Sequence, residues 1–291
     1  MAKFSVLLSV YFKDSPEHLA ECLRSVQTQT RTADEILIVK DGPLGDDLEA
    51  VIVAYSASLP IVPLELPKNR GLGEALKIGV ESCRFDIVAR MDADDICAVE
   101  RFEREVGFLE SHPEVDALSG AIGEFDTDPS VCISERRLPI EHASIMAFAK
   151  RRCPLNHMAV VFRKAAVLAA GNYRLQLVGE DYDLWVRMLL NGSILHNLED
   201  VLVFARCGNG MQKRRGSFRY LRSESSLFWR FRSLGFLSTF EALRNIGLRV
   251  PARLLPASIR AVFYRWFVRK SLDGQVLRRQ LGWSPFFAMR F

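Results

Sequence analysis

No two of the six cysteines, at positions 22, 83, 97, 132, 153 and 207, form a Cys-x-x-Cys pair. No cysteine–histidine group has zinc-ligand spacing either, so the cysteines read as buried thiols of a reducing compartment. No stretch reaches 18 uncharged apolar residues, which excludes a transmembrane helix as an expectation. The apolar start MAKFSVLLSVYF runs into Lys13 and Asp14 without a small-residue cleavage site, so no secretory leader is expected. G-x-G-x-x-G and G-x-x-x-x-G-K-[ST] are both missing, which argues against a dinucleotide fingerprint and a P-loop. Internal repeats and low-complexity segments are absent too. A cytoplasmic chain is expected, with peripheral attachment to the inner face of the cytoplasmic membrane left open.

Acidic residues are scarce in the last third. Residues 201–291 hold 18 Lys+Arg against 3 Asp+Glu, a net +15, while residues 1–200 carry 21 against 32, a net −11. An acidic body with a basic C-terminal region suggests cation chemistry in the first part and contact with phosphate or an anionic surface in the second. The hydrophobic fraction of 49% and charged fraction of 25% over 291 residues are ordinary for a folded α/β chain and exclude extensive disorder.

The first 122 residues alternate strand and helix. Phe4–Phe12 is a nearly continuous apolar run, as expected for a parallel strand buried on both faces. Ser15-Pro16-Glu17 supplies a cap, a proline at the first helical position and an acid in the first turn. Further strands are expected at 35–39, 61–66, 87–91 and 115–122, with helices at 46–56, after Asn69-Arg70-Gly71 to Ser82, and at 99–111. Such spacing predicts a doubly wound, mostly parallel sheet flanked by helices, with ligands beyond the carboxyl ends of its strands. Residues 123–157 read as loop with a short helix at 143–151. A strand at 160–162, a helix at 164–170, a helix opening at Gly179-Glu180-Asp181 and two strands at 194–198 and 201–205 follow. From 206 to about 250 the pattern is helical.

Polar residues gather at the expected strand ends. Asp92-Ala93-Asp94-Asp95 follows a buried strand, and residues two apart point the same way. Paired carboxylates there repel unless a cation joins them, and a hard Mg²⁺ or Mn²⁺ suits carboxylate plus ligand phosphate oxygens. The competing reading is turn chemistry, with Asp95 capping the next helix. Asp41-Gly42 is either a turn or a carboxylate that accepts from a nucleotide base or ribose. Glu180-Asp181 either complements a helix dipole or supplies a general base. His157 alone reads as structural, and Lys213-Arg214-Arg215 as a solvated run or a diphosphate contact.

Five ordered segments, SVLLSVYF at 5–12, ADEILIVKDGP at 33–43, NRGLGEALKIGV at 69–80, ARMDADDI at 89–96 and GEDYDLWVRML at 179–189, resemble the family 2 nucleotide-sugar glycosyltransferases of the GT-A fold, in the bacterial polysaccharide-assembly branch. The resemblance covers roughly residues 1–205. It implies a catalytic domain there, with a nucleotide-sugar half at 1–122 and an acceptor half at 123–205, and a basic helical region at 206–291. It implies an inverting transfer of one sugar from a nucleoside diphosphate donor, a UDP-sugar, to a saccharide or polyprenyl-diphosphate-linked acceptor. Carried over by position, Val10, Tyr11 and Asp41 would hold the nucleobase, with Asn69 and Gly71 near it. Asp92 and Asp94 would bind Mn²⁺ or Mg²⁺, and Asp181 would be the base. Arg214 or Arg215 would meet the diphosphate. Phe12 and Ser9 depart from the asparagine and proline common in the family, and no Q-x-x-R-W of processive synthases is present.

In the tail, Leu255, Ile259, Val262, Phe263, Trp266 and Phe267 share a helical stripe flanked by Arg260, Arg265, Arg269 and Lys270. It reads as a helix near 254–270 lying in an anionic membrane interface, or as one docked on the body. Nucleic acid is not expected as a partner, since no binding motif accompanies the charge. Two other classes stand beside the transferase: a non-catalytic binding protein on the same fold, and a sugar-nucleotide nucleotidyltransferase. The second should carry a Gly-rich basic loop after the first strand, and residues 9–18 lack one.

Overall fold

The computed structural model describes residues 1–175, 178–207 and 218–254. Four strands, β1 (Phe4–Val10), β2 (Glu35–Lys40), β3 (Ile61–Glu65) and β4 (Ile87–Asp92), alternate with α1 (Pro16–Gln27), α2 (Asp46–Ser56) and α3 (Leu72–Ser82). They run parallel in the order β3-β2-β1-β4. After them come β5 (Ile96–Cys97), α4 (Arg101–Ser111), β6 (Val115–Phe125), β7 (Ser134–Arg136) and α5 (His142–Ala149). A 3₁₀ turn at His157–Ala159 leads to β8 (Val160–Arg163), α6 (Lys164–Ala169), α7 (Glu180–Leu190) and β9 (Ile194–Arg206). Two further helices are α8 (Phe218–Ser233) and α9 (Thr239–Leu254). Arg214, Arg215 and the stripe at 255–267 lie outside the described residues.

β1 shows why the apolar run needs two covers. Val6, Leu8 and Val10 enter a core with Leu19 and Leu23 of α1, Leu48 of α2 and Phe102 of α4. Leu7 points the other way, into a core with Leu76 and Val80 of α3, Trp185 of α7 and Phe228 of α8. Alternate side chains of one strand thus fill two cores. The turn into α1 forms as the sequence predicts: the Ser15 hydroxyl accepts from the His18 N–H at 3.2 Å, and Pro16 takes the first helical position.

The second half departs from the expectation in three ways. The sheet is mixed: β8 lies antiparallel between β4 and β6, β9 runs parallel to β6, and β5 closes the edge antiparallel to β9. Burial and periodicity mark residues 160–162 as a strand, but neither carries its direction. β6 continues to Phe125, and β7 pairs with it inside the region expected to be loop. Gly120 and Gly123 weaken the strand signal there. Yet a Cβ on Gly120 would stand 2.7 Å from the Leu202 side chain, and one on Gly123 3.0 Å from Phe204, so the neighbouring strand requires the glycines. Finally, the expected strands at 194–198 and 201–205 are one strand, β9. Its pairing with β6 jumps from Ser119–Asn197 to Ala121–Val201, so Glu199 and Asp200 occupy a bulge.

α8 and α9 pack on this body. Tyr182 of α7 meets Phe231 and Phe228 edge-on at 4.8 and 6.3 Å. The Asn245 amide donates to the Lys150 carbonyl at 2.7 Å, and Arg249 lies 4.4 Å over the Phe228 ring. Among the described residues no helix is long and apolar enough to cross a membrane, and all six cysteines are free.

Gly120→Val will overpack the β6–β9 contact and destabilise the chain by about 1–3 kcal/mol. Urea titration will show this as a lower midpoint at unchanged slope.

Candidate active site

Three parallel strands end side by side: Val10 pairs with Lys40, and Ser9 with Asp92. Beyond β2, the buried Asp41 carboxylate accepts from the backbone N–H of Arg70 at 2.6 Å and of Gly71 at 2.9 Å. The Asn69 amide donates to the Asp41 carbonyl at 3.2 Å. Gly42, at φ +89°, is where the loop crosses; a Cβ there would lie 2.6 Å from the Asn69 nitrogen. Asp41, Asn69 and Gly71 are therefore one unit, with the carboxylate clamping the loop to the strand. Val10 has its side chain in the core, leaving only its backbone at the strand end. The Tyr11 N–H donates to the Asp14 carboxylate at 2.9 Å.

The turn after β4 concentrates negative charge. Asp92 gives both carboxylate oxygens to the guanidinium of Arg90, one at 2.9 Å from Nη1 and the other to Nη2. Arg90 stands two residues earlier on the same strand face and is 1% exposed. Its carbonyl accepts from Arg101 at 2.7 Å, and Arg101 is paired with Glu105 at 2.9 Å, both side chains fully buried. Asp95 caps no helix. One of its oxygens accepts from the Arg206 N–H at 2.9 Å, and the other is buried with no hydrogen-bond partner. Arg206 also reaches the Asp94 carbonyl at 3.3 Å and Glu21 at 2.5 Å, with its guanidinium 4.6 Å over the Phe125 ring.

Burial, then the charge of Asp92, raises the Asp94 carboxyl above its ordinary range. Burial also pushes Asp14 up to about 6, with Asp94 and Asp92 adding to the shift. Asp14, Asp92, Asp94 and Asp95 thus share one region of negative potential. The sequence argument that a metal must neutralise Asp92 missed Arg90, legible only as an arginine two positions upstream in a buried strand. Asp94 meets no side-chain donor among the described residues. Among the described residues, no group of three or more acid, histidine or cysteine ligands closes around a point there. The oxygen-only set and its excess negative charge fit a Mg²⁺ or Mn²⁺ that takes one or two carboxylates and completes its shell with ligand oxygens.

Across from this turn stands the start of α7. The Asp181 carboxylate accepts from the Cys153 thiol at 3.2 Å. Burial, then the Asp181 charge, raises Glu180 to about 7, with Arg90 opposing and Asp92 reinforcing the shift. Glu180 therefore faces the same space as the β4 turn. Beneath it, His157 bonds the Tyr173 hydroxyl at 2.9 Å and is held neutral, first by burial and then by Arg90. The structure brings Asp41, Asn69 and Gly71 together, and sets Asp92 and Arg90 within electrostatic reach of Glu180. Arg90, Asp14, Cys153 and Arg206 are the participants that sequence reasoning missed.

The family model described as glycosyl transferase family 2 matches residues 5–167. An uncharacterized glycosyltransferase of Haemophilus influenzae is 42% identical over 268 residues, 92% of this chain and 100% of the relative. The amylovoran biosynthesis glycosyltransferase AmsE of Erwinia amylovora is 42% identical over 90% of this chain and 97% of its own length. A UDP-Gal:alpha-D-GlcNAc-diphosphoundecaprenol beta-1,3-galactosyltransferase of Escherichia coli is 37% identical over 93% and 98%. In fold, the chain is similar to Staphylococcus aureus TarS 1-349 solved with UDP-GlcNAc. The TM-score is 0.64 at 16% identity, covering 91% of this chain and 76% of that one.

Glu180 yields a pH prediction. Its folded carboxyl titrates near 7, against an ordinary value of 4.5, so its stabilising contribution is complete below 4.5 and is lost as pH rises through 7. Glu180→Gln will therefore gain stability over the wild type at pH 8 and match it near pH 4, as thermal melts at the two pH values will show.

Proposed function

The chain belongs to glycosyl transferase family 2 and has the GT-A fold; from that premise we propose that it transfers a single sugar, with inversion, from a UDP-sugar to a saccharide on a polyprenyl diphosphate in bacterial surface or exopolysaccharide assembly. The observation that carries this reading is the acidic turn at 92–95 facing Glu180 and Asp181 across Arg90. A donor diphosphate end and an acceptor hydroxyl can meet only where such a turn and a base face one space. The E. coli relative acts, by its name, on a lipid-linked acceptor, which supports the acceptor class.

Asp41, Asn69 and Gly71, with Tyr11 and the Val10 backbone, bind the nucleobase. Asp94, with Asp92 beside it, holds the divalent cation, which when bound neutralises charge on the leaving diphosphate. Arg90 holds Asp92 in place through both carboxylate oxygens. The Asp181 carboxylate, held by Cys153, takes the proton of the acceptor hydroxyl. That oxygen attacks the anomeric carbon from the face opposite the diphosphate. The bond to the diphosphate oxygen breaks, and UDP leaves with its electron pair. Arg214 or Arg215 meets the diphosphate. Residues 1–205 form the catalytic domain, and the basic region from 206 onward keeps the enzyme against the inner face of the membrane.

Titration calorimetry with UDP tests the donor side. Mn²⁺ will strengthen UDP binding to the wild type, and Asp94→Asn will abolish the metal effect; a metal-independent wild type removes the role given to Asp92 and Asp94. Asp181→Asn will lower the turnover of sugar transfer by about 10²–10⁴-fold while UDP affinity stays unchanged. Retained turnover would assign the base elsewhere.

A further inference from the structure

A second cleft opens between α8 and the segment leading into α7. Its volume is about 470 Å³, and its charged lining is Arg219, Arg222 and Arg230, interleaved with Ser223 and Ser226. These residues recur at helical spacing, so one face of α8 presents them all. No carboxylate among the described residues lines the cleft. Among the described residues, no ion pair or hydrogen bond engages Arg219 or Arg222. Arg230 lies 3.3 Å from Asp183, but that carboxylate is fully buried and also takes Arg187 at 2.8 Å. One acid thus serves two guanidiniums, and positive charge is left in excess. Leu175, 71% exposed, and the buried Leu227 add an apolar wall.

The cleft adjoins the proposed base. Leu227 stands 2.8 Å from where a Cβ on Gly179 would lie, and Arg230 pairs with Asp183. Gly179 and Asp183 bracket Asp181 by two residues on either side and share one face of the helix start. Asp181 leaves from the opposite face, toward Cys153. A ligand with its anion in the cleft and a hydroxyl at Asp181 would pass over the N-terminal end of α7. None of residues 92–95 lines the cleft, so it is separate from the proposed donor diphosphate position.

Arginine forks and hydroxyls, with no acid among them and an apolar wall beside, suit a phosphate ester carrying a hydrocarbon chain. We propose that Arg219, Arg222 and Arg230, with Ser223 and Ser226, bind the phosphate ester of an amphiphile. Its source is either the diphosphate of the lipid-linked acceptor, which rests on the function proposed above, or the headgroup of an anionic lipid.

The test uses the full chain. Calorimetry with decyl diphosphate and sedimentation with phosphatidylglycerol–phosphatidylcholine vesicles are run on the wild type, on Arg219→Ala/Arg222→Ala, and on Lys3→Ala/Arg84→Ala at the other end of the sheet. Arg219 and Arg222 are surface residues, and UDP affinity reports that each variant is folded. Decyl diphosphate binding weakened about tenfold or more in the α8 variant alone supports the proposal and assigns the acceptor as source. Vesicle binding lost in that variant, with no decyl diphosphate binding by the wild type, supports it with a lipid headgroup as source. Equal affinity for both ligands in wild type and α8 variant overturns it. So does an equal loss in the Lys3/Arg84 variant, which would make net charge responsible. A wild type that binds decyl diphosphate but not UDP keeps the cleft and removes the donor reading. One that binds UDP but neither phosphate amphiphile removes the cleft alone.

Discussion

Arg90 is buried, charged and committed to Asp92, and much of the site is arranged around that pair. A guanidinium at 1% exposure is costly unless its charge is met, and Asp92 meets it through the two terminal nitrogens while the buried Nε has no partner among the described residues. Arg90 in turn lets a strand end in an acid beside Asp94 and Asp95 without unrelieved repulsion. The backbone beneath it is held by Arg101, whose own charge is met by Glu105. A part-buried ion pair and a fully buried one in series thus stiffen the one turn on which several carboxylates converge. Removing Arg101 would leave the Glu105 carboxylate facing low dielectric alone.

The second half of the chain supplies the facing wall. Inserting β8 antiparallel beside β4 brings the His157–Tyr173 layer under the end of the parallel strands, and α7 then starts opposite the acidic turn. The length of β9 has a similar consequence. Because it continues to Arg206, its end reaches Asp95 and Asp94, tying the far side of the sheet to the turn. The glycines of β6 permit this by letting Leu202 and Phe204 cross closely. Packing in the mixed half and charge in the turn are therefore linked.

The parallel half was legible residue by residue. Continuous burial of β1, the Ser15 cap and the acids at strand ends each left a local mark in the sequence, because each rests on neighbours within a few residues. Asp41 was legible as a residue at a strand end but not as the clamp on Arg70 and Gly71, which lie 29 and 30 residues away. Glu180 and Asp181 were readable as helix-start acids, while the Cys153 contact 28 residues away from Asp181 was not. The direction of β8, the bulge at Glu199–Asp200 and the extension of β6 were also hidden, since hydrophobic period is blind to strand direction and glycine reads as a break.

By itself the sequence determined the alternating architecture, the acidic ends of the parallel strands and the set of motifs that mark the family. All of these follow from local spacing and from side-chain burial that repeats with the period of an element. Only the tertiary structure decided which acids are paired and which have no side-chain donor among the described residues. It set Arg90 on Asp92, gave one oxygen of Asp95 to the end of β9, and left Asp94 without a side-chain donor among the described residues. It also turned a stretch of arginines on α8 into a cleft beside α7. Charge compensation depends on distances between side chains far apart in sequence, and those exist only once the sheet has closed its order and the helices have docked.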